Sequence, residues 1–292
     1  MLAMLRGLMG DAEERDASGK PKVTLRRALD RGWLELWYQP KVSLRDQHLV
    51  GAEGLIRVRH PEIGLVPPFQ FLTGASADDM LEMTEKVIIA ALADWHECAA
   101  AGLPEIKLAV NVPADAFTRL PIIKMIQEFK PRADNWPGLI LEVTEDQALN
   151  DLEMANEVAN ELHKLSCSLA IDDFGAGYSS LGRLRQLPFS ELKIDRAYVT
   201  DCHIDKVKAR MLETIIEMAH RFGLKTVAEG IETPYEGHKL QGMGCAVGQG
   251  YLFAKPMPKE EFFGKIERVT GKRRADQQKS WFSRAPKAKA TV

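Results

Sequence analysis

Ser168-Leu-Ala-Ile-Asp-Asp-Phe-Gly-Ala-Gly-Tyr-Ser-Ser-Leu181 decides the fold. Leu169, Ala170 and Ile171 form a short apolar run bounded by turn residues, the pattern of a strand buried on both faces. The run stops at two adjacent carboxylates, Asp172 and Asp173, followed by a Gly-x-Gly turn. Two neighbouring anions at the end of a buried strand need positive charge beside them. A divalent cation held by hard carboxylate oxygens would supply it. Taken alone, the pair reads more readily as a helix N-cap beside a solvated turn aspartate. The rest of the chain decides between the two.

Outward from this strand the same unit recurs. Apolar runs ending in a polar residue predict strands over 106–111, 139–142, 169–172, 192–195, 226–229 and 249–253. Between and after them, helical spacing predicts helices over 114–129, 146–165, from 178, 206–222, 235–241 and 259–269. Upstream lie a short helix over 24–31 capped by Thr24, two strands over 34–40 and 48–58 that read as a hairpin, a Pro-rich loop over 60–68 and a long helix over 76–101. Alternating strands and helices argue a parallel sheet covered by helices. Two strands followed by six strand–helix repeats close into a barrel of eight. The fold expected is therefore α/β, a TIM-like (β/α)8 barrel with an antiparallel first strand. Its bounds are 23–270, between an N-terminal arm (1–22) and a basic tail (271–292) that is expected to be disordered, and no second domain is evident.

Composition sets limits on function. The 292 residues are 45% hydrophobic and 27% charged, as in a soluble protein with a sizeable core. A net charge of −2 gives no global electrostatic footprint for nucleic acid, so no DNA binding is expected. Cys98, Cys167, Cys202 and Cys245 are scattered without a CxxC pair, which reads as buried thiols in a reducing compartment. No apolar run approaches the ~20 residues of a transmembrane segment. Cytoplasmic localisation is the expectation. The tail sets seven Lys/Arg against one acid.

Polar residues stand at or close to the ends or beginnings of the predicted strands: Asn111, Glu142, Asp172, Lys193, Glu229 and Gln249, with Glu53 inside the second strand. In a (β/α)8 barrel the carboxyl ends of the strands gather at one rim, where the catalytic residues sit. Glu53, Glu142, Asp172, Asp173 and Glu229 would then converge with one amide and one amine. Each has a bland reading by itself: a surface acid, a salt-bridge lysine, a loop amide. Together they carry too much negative charge to be stable without cations. All-oxygen ligation without His or Cys points to Mg²⁺ or Mn²⁺ rather than Zn²⁺. Two ions balance the charge better than one and suit phosphodiester hydrolysis.

Seven segments in order, Glu53-Gly-Leu-Ile-Arg57, Val110-Asn111, Glu142-Val-Thr-Glu145, Asp172 to Leu181, Leu192-Lys-Ile-Asp195, Ala228-Glu-Gly-Ile-Glu232 and Gln249-Gly-Tyr-Leu-Phe253, resemble the EAL domain of cyclic di-GMP phosphodiesterases. The resemblance covers about residues 25–258. It implies a TIM-like barrel, usually a homodimer, that hydrolyses cyclic di-GMP to linear pGpG with Mg²⁺ or Mn²⁺. It implies that Glu53, Asn111, Glu142 and Asp172 hold one ion and that Asp172, Asp173 and Glu229 hold a second. Glu229 is then also the general base, and Lys193 steadies the attacking water or the developing charge. Gln39 and Arg57 contact the substrate, and Gln249 lies near the metal-bound water. Glu145, with Glu232, couples the loop 173–180 to the dimer interface. The chain departs from the family pattern at Gly54 (the signature alanine), Val58, Pro113 and Ala246, and over 73–76. None of these removes a metal ligand, so activity is expected. Two other classes remain beside the enzyme: a silent cyclic di-GMP receptor, and an interaction module that meets a regulatory protein partner through the arm or the tail.

Overall fold

A computed structural model describes residues 21–100, 106–133, 135–144, 152–175 and 189–273. The chain divides into two compact units, residues 1–35 with 56–83 and residues 36–55 with 84–292. The arm to residue 20, the tail from 274, Glu145 and the helix expected from Tyr178 lie outside the described residues. Strands β1 (Leu34–Ser43) and β2 (Leu49–His60) each give residues to both units.

In the first unit, α1 (Leu25–Arg31) begins at Thr24, whose hydroxyl accepts the Arg27 N–H at 3.3 Å, the cap that the sequence predicts. The stretch expected as a loop over 60–68 contains a short strand, β3 (Gly64–Val66), antiparallel to residues 58–60 of β2. It leads into α2 (Pro68–Leu72), with proline in the first turn where its missing N–H costs nothing. Trp33 meets the His60 ring edge-on, with centroids 4.5 Å apart. The long helix α3 (Ala77–Ala100) starts in this unit and continues in the other.

The second unit contains the barrel. Its remaining strands are β4 (Lys107–Asn111), β5 (Leu139–Thr144), β6 (Ser168–Phe174), β7 (Phe189–Ile194), β8 (Lys225–Ala228) and β9 (Val247–Gly248). The pairing order β1-β9-β8-β7-β6-β5-β4-β2, with β1 paired to β2, closes a ring of eight. All neighbours from β2 through β9 are parallel, whereas β1 is antiparallel to β9, as the hairpin reading predicts. A two-residue strand, β10 (Met257–Pro258), pairs with Trp37 and Tyr38 of β1.

Apolar helix faces are buried in this unit. In α8 (Lys206–Arg221), Ala209, Leu212, Ile216 and Ala219 are buried at helical spacing, and the large ones contribute ~1.5–3 kcal/mol each. Asp205 caps that helix by accepting from Val207 N and Lys208 N at 2.8 and 3.1 Å. The last helix, α10 (Lys259–Arg273), stacks Phe262 on Tyr38 with centroids 5.6 Å apart.

Two expectations are corrected here. The single helix predicted over 114–129 is two, α4 (Ala116–Arg119) and α5 (Ile122–Phe129), because Pro121 cannot donate into a continuous helix and its ring displaces the preceding backbone. None of residues 249–253, predicted as the last strand, is in one: β9 is Val247–Gly248, before that span, and the chain then turns. Gly250 presses so close to Ile231 that a Cβ would lie 2.2 Å from the Ile231 carbonyl oxygen. The Phe253 and Ala254 N–H groups then close on Gly250 O at 3.1 and 3.2 Å. Helices α6 (Leu152–Lys164) and α9 (Pro234–Gly242) complete the set used below, with α7 (Arg196–Val199).

Candidate active site

Side chains alternate across a strand with period two, so the register fixes which residues share the inner face. Glu53 pairs with Ala109, Asn111 with Glu142, and Thr144 with Asp172. Ala109, Ile140 and Ala170 form a buried apolar cluster, and the residues two positions further along each strand are Asn111, Glu142 and Asp172. On these three strands the interior is apolar beneath and polar above. Gln39, Lys41, Glu53, Glu142, Asp172, Glu191, Lys193 and Gln249 are all buried.

Lys193, on β7 and 1% exposed, is the centre of this layer. Its Nζ lies 2.7 Å from Glu142 Oε2, 2.9 Å from Asp172 Oδ1, 2.7 Å from Glu229 Oε1 and 3.6 Å from Glu53 Oε1. Glu53 is tied laterally, accepting from Asn111 Nδ2 at 2.8 Å and Gln249 Nε2 at 2.6 Å. Gln249 Nε2 also donates to Gln39 Oε1 at 3.1 Å. The turn at Gly250 explains this: a strand continuing through Gln249 would not end where its amide meets Glu53.

Adjacent strand residues ordinarily face opposite sides, yet Asp172 and Asp173 serve one site. A register shift against β7 between Ile171 and Phe174 and a left-handed φ of 53° at Asp173 bring this about. Aspartate tolerates that conformation better than most residues. Asp173 N donates to Asp172 Oδ1 at 2.9 Å. As a result Asp172, Asp173 and Glu229 each present an oxygen within 4.8 Å of the other two.

The electrostatics follow from burial and crowding. For Glu229, burial with Glu53 and Asp172 nearby outweighs the pull of Lys193 and pushes the carboxyl up to about 8. Burial also raises Glu53 and, helped by Asp172, raises Asp173. Burial would raise Glu142 too, but Lys193 and Lys41 outweigh it and hold that carboxyl at about 2. Burial opposes the charge on Lys193, and its four acidic neighbours more than restore it, leaving the ammonium well above its usual value.

The residues fit a divalent cation. Asp172, Asp173 and Glu229 are hard oxygen donors without histidine or cysteine, and the surrounding acids outnumber the ammonium groups. A pocket of about 230 Å³ opens beside them, lined by Gln39, Glu53, Leu55, Asp172, Lys193, Arg196, Glu229, Gly230, Glu232, Gln249, Gly250 and Tyr251.

Of the residues predicted from sequence, Gln39, Glu53, Asn111, Glu142, Asp172, Asp173, Lys193, Glu229 and Gln249 are brought together. Glu232 lines the pocket and pairs with Arg196 at 2.7 Å. Arg57 belongs to the first unit, where its Nη1 donates to Ile56 O at 2.7 Å. Glu145 is outside the described residues. Two residues were missed. Lys41 reaches Glu142 Oε1 at 2.6 Å, and its signal is its two-residue spacing from Gln39 in one strand. Glu236 is buried in α9 and accepts from the N–H groups of Asp201, Glu232 and Thr233 at 3.0, 3.0 and 2.9 Å. Its signal is the capping box Thr233-x-x-Glu236.

A closed (β/α)8 barrel with an antiparallel first strand and a rim of carboxylates around one lysine defines a class: barrel proteins that gather charged side chains at the carboxyl ends of their strands, where such barrels carry their sites. More particularly, residues 22–256 match the EAL domain family, and the chain belongs to it. It is similar to the bifunctional diguanylate cyclase/cyclic di-GMP phosphodiesterase MucR of Pseudomonas aeruginosa, 36% identical over 83% of this chain and 36% of MucR. The cyclic di-GMP phosphodiesterase RocR of the same organism is 34% identical over 81% of this chain and 60% of RocR. The chain therefore spans about a third to three fifths of the length of these relatives. Among solved structures, the PaMucR phosphodiesterase in complex with c-di-GMP is similar over 82% of this chain and 97% of that chain, with a TM-score of 0.75 and 36% identity. The EAL domain of DcpA from Mycobacterium smegmatis matches with a TM-score of 0.65 at 28% identity, over 81% and 97% of the two chains.

Proposed function

We propose that this chain hydrolyses cyclic di-GMP to linear pGpG with Mg²⁺ or Mn²⁺ as cofactor. The convergence of Glu53, Glu142, Asp172 and Glu229 on Lys193 Nζ at the barrel rim carries the reading. A dianionic substrate would be repelled by so many acids unless cations intervened. Asp172, Asp173 and Glu229 would hold one cation, and Glu53, Asn111, Glu142 and Asp172 the other. When bound, such ions acidify a water and neutralise the phosphate.

The chain's own groups do the rest. Glu229 is the proposed proton acceptor; burial raises its carboxyl to about 8, and a cation beside it would favour the ionised form that accepts a proton. Lys193 keeps its proton and sets a fixed positive charge beside the reacting phosphate. Gln249 Oε1 is buried without a hydrogen-bond partner and faces the pocket, where a bound donor would satisfy it. Gln39 and Arg57 are proposed to contact the substrate, and Glu145 and Glu232 to couple the metal loop to an interface. Incubating the purified chain with cyclic di-GMP and Mn²⁺ and separating the products tests the reading. Linear pGpG should appear with the wild type and fall by at least ~10²-fold with Glu229→Gln and Glu53→Ala. Dinucleotide bound but recovered intact would make the chain a receptor instead.

A homodimer is also proposed, supported by the exposed apolar side chains of Ile204, Val207 and Met211 and by exposed Tyr235, which stacks on His203. A regulatory partner meeting residues 1–22 or 271–292, and a cytoplasmic location, complete the proposal. Four free, buried cysteines support the latter. Among the described residues, no helix is long and apolar enough to cross a membrane.

A further inference from the structure

Both oxygens of Glu142 meet ammonium groups at hydrogen-bond distance. Oε2 meets Lys193 at 2.7 Å, in the midst of Asp172 and Glu229. Oε1 meets Lys41 at 2.6 Å. Lys41 is on β1 and Glu142 on β5, four strands lie between them on one side of the ring, and both are nearly inaccessible, so the contact crosses the barrel interior. Lys41 is itself held from behind. Its Nζ lies 3.6 Å from Glu191 Oε2, and Glu191 Oε1 lies 3.7 Å from Lys225 Nζ. Charges therefore alternate through the barrel in the order Lys225, Glu191, Lys41, Glu142, Lys193.

We propose that Lys41 is a positioning residue for the metal site: by taking Glu142 Oε1 it aims Oε2 at the rim cluster and keeps it there when a cation joins Lys193. The inference rests on the cation reading of the rim and adds a residue that does not touch the ion. A buried carboxylate with a free oxygen would rotate toward whichever partner remained, whereas one anchored by a charged hydrogen bond has a single useful orientation. Glu191, 3.6 Å from Lys41 Nζ, adds an attraction of opposite charge from behind without a hydrogen bond. The sequence places Lys41 two residues from Gln39, on the same strand face and one step further from the rim.

The test is Mn²⁺ binding to the purified chain, read from the free-ion signal in electron paramagnetic resonance. Lys41→Met keeps the stem length without the charge, and Lys41→Met with Glu191→Gln avoids stranding Glu191. Asp94→Asn is the control: Asp94 is buried, accepts from Tyr38 at 2.7 Å and from Lys259 at 2.9 Å, and takes no part in the rim. Loss of an outer partner of a metal ligand typically weakens the metal about 10–100-fold. That loss is expected in both Lys41 variants and not in the control. Wild-type affinity in either folded Lys41 variant would overturn the proposal, as would an equal loss in Asp94→Asn. If neither Lys41 variant folds, Lys41 is structural and the proposal fails. A wild type that binds no Mn²⁺ fails differently: it removes the cation reading itself.

Discussion

Replacing Lys193 by methionine should convert the rim from a neutralised cluster into a strained one. The ammonium makes three contacts of 2.9 Å or less with Glu142, Asp172 and Glu229 and a fourth at 3.6 Å with Glu53. Methionine fills nearly the same volume, so the loss is of charge rather than packing. Removing one partner of a buried ion pair costs about 3–5 kcal/mol, because the other is left uncompensated. The cost depends on pH in a defined direction. Glu229 has a folded value near 8 against 4.5 for the free side chain, so between those values the folded protein binds a proton that the unfolded chain does not. Stability must then fall as pH rises through that window. Without Lys193 the other acids join Glu229, and the slope steepens.

Urea unfolding in EDTA, followed by circular dichroism at pH 5.5 and 8, measures this. With a slope of about 2–3 kcal/mol per molar, the midpoint of Lys193→Met should drop about 1–2.5 M at pH 8 and clearly less at pH 5.5. An equal drop at both values, or none at pH 8, would refute the placement of Lys193 as the counter-charge of the cluster.

Other consequences can be measured in the same protein. Because a cation needs Glu229 ionised and burial holds it at about 8, Mn²⁺ binding at pH 7 should release about one proton, seen by calorimetry in buffers of different ionisation heat. Affinity should rise with pH up to that value and then level off. Gly54→Ala would place a Cβ 3.2 Å from both Leu36 methyl groups, so the entropy gain of ~0.5–1 kcal/mol is offset by crowding. Its unfolding free energy in urea should stay within about 1 kcal/mol of wild type with hydrolysis unchanged, while Gly54→Ile should lose ~1–3 kcal/mol. Burial opposes ionisation of Glu236, but three backbone N–H groups overcome it and hold that carboxyl below its usual range. Glu236→Ala should therefore cost about 2–3 kcal/mol at pH 7, measured by urea unfolding. The wild-type contribution is lost as pH falls through that depressed value, so the difference between the two proteins should shrink in acid.

Much of this was legible because strands and helices leave different periods in the chain. The polar residues that end each apolar run, from Asn111 to Glu229, lie on the inner face because the pairing is parallel and nearly in register. Other features were hidden for local reasons. Gly-Tyr-Leu-Phe after Gln249 has strand composition, and only the approach of Gly250 to Ile231 turns it away. Pro121 did mark a helix break, and apolar spacing on both sides obscured it. Lys41 follows Pro40 near the end of the strand as read, where a lysine passes for a solvated terminus. That both Asp172 and Asp173 face one site depends on a bulge and a left-handed residue, and neither has a signature beyond the Gly-x-Gly that follows.

The rim also shows why this barrel departs from an aliphatic interior. Glu53, Glu142, Asp172, Asp173, Glu191 and Glu229 face Lys41, Lys193 and Lys225 in one connected set, an excess of acid that no folding requirement explains. Aliphatic residues of similar volume would be as stable or more so. Lys193 limits the cost in the metal-free chain by occupying the point where four carboxylates meet, and Lys41 limits it from below. The arrangement gives up stability to keep several oxygens close together, which makes sense only if a cation of higher charge is to be held there. The same charges that make the rim fragile in EDTA should make it the most strongly metal-stabilised part of the fold. At a Mn²⁺ concentration of 100 times the dissociation constant the gain would be about 2.7 kcal/mol.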